Sequence, residues 1–140
     1  MKHLIPATLA AATLALAIPA AAQDRAEREQ ARADQAFAEL VDGRVVSGEA
    51  RRCINTFNNN RLRVVENVGL AYRQGDTLWV ARARNPHYLE YWDVPVIERF
   101  SSQLCTHDVN RTIDRGTGMF SGVLFLDEFV PYQKPEDADG

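Results

Sequence analysis

The densest polar chemistry in this sequence is the run Cys105-Thr106-His107-Asp108. A histidine near a carboxylate can act as a general base once a nucleophile lies within hydrogen-bond reach. Adjacent residues on a strand face opposite ways, so His107 and Asp108 are poorly placed to form a dyad. The plainer expectation is a loop behind a disulfide, with Asp108 capping a turn. A second group is His87, Glu90 and Asp93, spaced three and three. On a helix these would share a face and, with His107, could hold a divalent metal. Pro86 and Pro95 bracket the stretch, however, and no H-x-x-x-H or C-x-x-C pattern reinforces it. No metal site is expected.

Tyr88, Tyr91, Trp92 and Phe100 form the densest aromatic group, within reach of Trp79 in some arrangements. Aromatic rings with polar tips suit a partner or sugar surface, and they also fill small cores. Tyr88, Tyr91 and Trp92 are the candidate binding surface. Arg115-Gly116-Thr117-Gly118 lacks the Lys-Ser/Thr ending of a phosphate loop, and there is no G-x-S-x-G elbow. Asn110-Arg111-Thr112 matches a glycosylation triplet by chance. Arg51-Arg52 and Arg82/Arg84 read as a local basic patch or, more simply, as solvated strand residues. No catalytic residue and no cofactor is assigned.

The elements that must position these residues begin after a leader. Lys2 and His3, the uncharged run Leu4 to Ile18, Pro19 and Ala20-Ala21-Ala22 have the three parts of a secretory signal, with cleavage expected between Ala22 and Gln23. The apolar run is shorter than the roughly 20 residues a spanning helix needs, so no transmembrane span is expected after cleavage. An uncleaved signal acting as an anchor is the alternative. Periplasmic or secreted localisation follows. Without Lys2 the chain carries fifteen basic and nineteen acidic groups, which argues against nucleic acid as a partner. In an oxidising compartment the even pair Cys53 and Cys105 is expected to form a disulfide; a reactive thiol or a metal pair is the competing reading.

Residues 24–41 are rich in Ala, Glu, Gln and Arg and read as a helix, with Ala26, Ala33, Phe37 and Leu40 as a thin apolar stripe. Asp42-Gly43 stops it. Its first half carries little large apolar surface and is expected to contribute little to stability. Short strands follow: one around Leu62 and Val64, then a hairpin across Gln74-Gly75-Asp76. In it Val68, Leu70 and Tyr72 are expected on one side, and Leu78 and Val80 opposite Trp79 and Ala81. Residues 87–104 read as a bent helix interrupted by Pro95 or as an aromatic loop. Residues 123–130 read as one last strand, with Val123, Phe125 and Phe129 pointing together and Pro131 ending it. The tail 134–140 is acidic and expected to be disordered.

The order Arg51-Arg52-Cys53-Ile54, Val65-Glu66-Asn67, Leu104-Cys105-Thr106-His107-Asp108 and Phe129-Val130-Pro131 resembles a family of small exported proteobacterial proteins known only as domain of unknown function 6491. The resemblance covers roughly residues 51–135. The family pattern often carries four cysteines, of which this chain keeps the first and third; the others would fall near Pro86 or His87 and near Gly122 or Val123. Joint loss of the second and fourth implies bridges of first to third and second to fourth, hence Cys53 to Cys105. The resemblance implies no activity.

The expected architecture is α+β: an N-terminal helix followed by a small antiparallel β-sheet domain with one disulfide. The divisions are a signal peptide at 1–22, a helical arm at 23–43, a β-rich domain at 44–133 and a tail at 134–140. The expected function is a non-enzymatic exported domain that binds an envelope protein or a small ligand. The alternatives are a small periplasmic hydrolase using His107 or His87, and a structural envelope component. Tyr91 and Trp92 exposed side by side would favour the binder. A histidine with a carboxylate and a nucleophile in one concavity would favour the enzyme.

Overall fold

The computed structural model describes residues 20–56, 61–98 and 101–135. Most of the expected leader, Phe100 and the tail from residue 136 lie outside them. Among these residues one α-helix, α1 (Ala20–Leu40), precedes ten strands, all paired antiparallel. These are β1 (Val45–Val46), β2 (Cys53–Asn55), β3 (Leu62–Val65), β4 (Gly69–Gln74) and β5 (Thr77–Arg82), then β6 (Asp93–Glu98), β7 (Gln103–Cys105), β8 (Val109–Asp114), β9 (Phe120–Val123) and β10 (Val130–Gln133). They form a five-stranded sheet in the order β1-β10-β5-β4-β3, a three-stranded sheet β6-β8-β9 and the pair β2-β7. The fold is α+β, with the helix first.

The β4–β5 hairpin turns at Gly75, whose φ of 58° is the left-handed conformation that glycine adopts without steric cost. Over 69–72 and 78–81 both strands are buried on both faces, while Arg73 and Gln74 at the end of β4 are exposed. On one side Ala71, Leu78 and Val80 pack with Val68 beneath Ala36, Phe37, Leu40 and Val41 of the helix end. On the other, Leu70, Tyr72, Trp79 and Ala81 join Ile54, Leu89, Leu104, Leu124, Leu126 and Phe129. The sheet is therefore the shared wall of two apolar clusters.

Several expectations are corrected. Val68 does not share a side with Leu70 and Tyr72; it joins the cluster under the helix. The cause is Gly69, whose φ of 151° breaks the period-two alternation between them. Residues 87–104 are neither a bent helix nor a plain loop. Pro86–Tyr88 form one 3-10 turn, and Asp93–Glu98 form strand β6. Pro95 is tolerated because β6 lies at the margin of its sheet, where a missing N–H costs no ladder bond. The last stretch is two strands, not one. Leu124, Leu126 and Phe129 are buried, whereas Val123 and Phe125 are exposed. Pro131 lies inside β10 and does not end it. Its carbonyl accepts from the Ser47 N–H, so its missing N–H faces the end of the two-residue strand β1. Helix α1 is packed from Ala33 onward, four residues earlier than Phe37. Residues 21–28 are exposed.

Candidate functional site

Cys53 and Cys105 face each other across β2 and β7 and are joined as a disulfide. The loop behind the bridge is held by its own side chains. Asp108 Oδ2 accepts from the Cys105 N–H at 2.7 Å, and Asn110 Nδ2 donates to the Asp108 carbonyl at 3.0 Å. Asp108 is thereby committed to the turn, as expected, and His107 is left exposed beside it. The sulfurs of both cysteines and a His107 ring nitrogen lie within 4.8 Å of one another. While the sulfurs are bonded to each other neither is a thiolate, so this group cannot ligate a metal in the usual way.

The helical face imagined for His87, Glu90 and Asp93 does not exist, because the chain leaves its 3-10 turn after Tyr88. His87 Nδ1 lies 3.9 Å from Glu29 Oε2 on α1, and its ring lies 4.0 Å from that of Tyr88. Asp93 is buried, and its Oδ2 accepts from the Glu90 N–H at 2.9 Å. Glu29 is held below the usual carboxylate range, first by its hydrogen bond from Arg25, with His87 contributing. Neither histidine lines the two large hollows of the surface or the small crevice beside Tyr88.

The aromatic group is on the outside. Tyr88 and Tyr91 are each 71% exposed and Trp92 is 57% exposed, so the core reading fails for these three. The Tyr91 and Trp92 rings sit edge to face with centroids 5.1 Å apart. A turn positions them: the Arg115 N–H donates to the Trp92 carbonyl at 3.0 Å, tying the start of β6 to the β8–β9 turn. That turn is itself braced by side-chain hydrogen bonds. Asp114 Oδ1 accepts from the N–H and the hydroxyl of Thr117, which hold its carboxyl below the usual range.

This anchoring places the aromatic pair at one end of an apolar sheet face that the sequence reading missed. In the β6-β8-β9 sheet, Asn110 and Thr112 point inward and are buried. The opposite register positions are Val94, Val96, Ile113, Phe120 and Val123, with Phe120 63% and Val123 54% exposed. The Glu98–Arg111 ion pair lies on that same outer face. Among the described residues β9 is an edge strand, with the sequence Phe-Ser-Gly-Val and none of the charges or prolines that usually guard an edge. The signal was present as period-two alternation in Val94/Val96 and Arg111/Ile113, but an ambiguous reading of residues 87–104 hid it.

The supposed basic patch is dispersed. Arg52 pairs with Glu128 at 3.3 Å, Arg82 with Asp34 at 2.9 Å and Arg84 with Asp127 at 3.5 Å, while Arg51 lies over the Trp79 ring. No protein-family model matches the sequence, and no curated protein or solved structure matches it either. Among the described residues, no helix is long and apolar enough to cross a membrane.

Proposed function

We propose that this chain is an exported, non-enzymatic binding domain whose partner is a protein of the cell envelope, docked on Tyr91, Trp92 and the outer face of the β6-β8-β9 sheet. The observation that carries the reading is the exposed Tyr91–Trp92 pair continuing into Phe120 and Val123. Large apolar groups held in water by a fixed turn raise the free energy of the free protein, and covering them recovers it. The occupant is read as a protein because the exposed apolar positions are spread across three strands and not gathered in one concavity, although Tyr91, Val94 and Arg115 also border a hollow of about 680 Å³ where a small ligand is the competing occupant. The crevice beside Tyr88 holds only about 20 Å³, too little for an organic molecule. The unguarded edge of β9 adds main-chain groups to which an extended partner segment could pair. Export rests on the leader pattern and on the disulfide, and the resemblance to the small exported family of unknown function points the same way.

The test is affinity capture from envelope extract with three folded proteins: wild type, His107→Ala and Tyr91→Ala/Trp92→Ala. A protein retained by the first two and reduced at least tenfold on the third is expected, since aromatic anchors tend to dominate binding energy. Loss with His107→Ala alone would revive the hydrolase reading and move the site to Cys105-Thr106-His107-Asp108. Equal retention on all three would remove the aromatic face from consideration.

A further inference from the structure

A second feature lies under the end of α1. The helix covers the Val65, Ala71 and Val80 part of the five-stranded sheet and stops at Leu40. The same sheet face continues beyond it, and there it carries arginines. Arg63 stands opposite Ala71, and Arg73 stands opposite Leu78. One step past the last β3–β4 pair, the same register sets Arg61 across from Arg73. Together with Arg44, just beyond the helix, these side chains line a hollow of about 650 Å³.

The cluster is electrostatically unfavourable in the free protein. Like charges at directly opposed strand positions destabilise a sheet. Arg25, Arg52, Arg82, Arg84 and Arg111 each have a carboxylate partner. Arg61, Arg63 and Arg73, by contrast, have no ion pair among the described residues. Arg44 is oriented by the Asp76 carbonyl at 3.2 Å. Asp76 supplies the one carboxylate among the lining residues, against four guanidinium groups. In a chain of net charge −3, this is a concentrated spot of opposite sign. Leu40, Ala71 and Leu78 add apolar wall.

We infer that this hollow binds a phosphate-bearing organic anion. Guanidinium forks match phosphate oxygens in pairs, and several forks opening into one hollow suit a multiply charged oxyanion better than a single carboxylate. The hollow is far larger than a phosphate group, so its apolar wall is free to take the carbon body of an ester. A soluble phosphate ester and a phospholipid headgroup offer the same chemistry. This site shares no residue with the outer face of the β6-β8-β9 sheet and stands or falls without it.

Calorimetric titration with phenyl phosphate, and co-sedimentation with vesicles of phosphatidylglycerol in phosphatidylcholine, test it on the full chain. Arg61→Ala/Arg73→Ala is the comparison; both residues are exposed, and circular dichroism checks that the variant is folded. Binding to at least one probe, weakened by added salt and reduced tenfold or more in the variant, is expected. Binding to phenyl phosphate identifies a soluble ester as sufficient; binding to vesicles alone identifies a headgroup. No binding to either probe, or equal binding by the variant, overturns the proposal. A further readout is independent of the choice of probe. Arg73→Gln relieves the repulsion, so its melting temperature without ligand should equal or exceed that of wild type, and a clear fall would also count against the proposal.

Discussion

One disulfide and one glycine carry consequences out of proportion to their size. Cys53 and Cys105 close a loop of 52 residues, and the chain-entropy account assigns such a bridge about 4 kcal/mol. Cys53→Ser and Cys105→Ser should each lose about that much in urea unfolding, and the double variant little more, because one bridge is lost in every case. Gly69 is the second. A methyl group there would press into the Ala81 carbonyl and the Ala83 nitrogen of the next strand, at a φ that side chains rarely adopt. Gly69→Ala should cost about 3 kcal/mol, read from the shift in urea midpoint. The bridge was legible in the sequence because a leader pattern and an even cysteine count both point to it. The role of Gly69 was not, because it depends on how closely β4 approaches β5. The same residue turned Val68 to the helix side, against the alternation its neighbours suggested.

At the scale of elements, the helix is the part most open to test. Its docked end is Ala33, Phe37 and Leu40, and the Phe37 ring lies edge-on to Tyr132 with centroids 5.9 Å apart. Phe37→Ala should cost about 2 kcal/mol, less than at a fully buried phenylalanine. Deleting residues 23–32 should leave the melting temperature within a few degrees, because that segment is mostly solvated. The link from α1 to β5 is Asp34 with Arg82. Hydrogen bonds from Gln30 and then Arg82 hold the Asp34 carboxyl below its usual range. The contribution is therefore fully present above the unfolded pKa, near 3.9, and is lost as pH falls through the lower folded value. The stability gap between wild type and Asp34→Asn should narrow between pH 5 and pH 2, to about zero. A gap constant with pH would show that the pair does not couple helix to sheet. The helix and the β4–β5 hairpin were legible because each has a strong period and a glycine stop. Strand β6 was not, because Pro95 interrupts its pattern and is tolerated only at a sheet margin that the sequence does not reveal.

Across the whole molecule, the described residues give a shared sheet wall, two apolar clusters and two exposed surfaces that stability does not explain. One surface is apolar, around Tyr91, Trp92, Phe120 and Val123; the other is cationic, around Arg61, Arg63 and Arg73. The sequence named the first in part, since three aromatics within five residues stand out in any chain. It hid the second, because Arg61 and Arg63 converge with Arg73 only once the hairpin has folded and the helix has ended short of them. The aromatic face is proposed to meet a protein partner. The most direct measurement is photo-crosslinking in the producing cell, with a benzophenone amino acid replacing Trp92 in one strain and His107 in another. A discrete crosslinked product of one size is expected from position 92 and none from position 107. A product from position 107 with none from position 92 would contradict it.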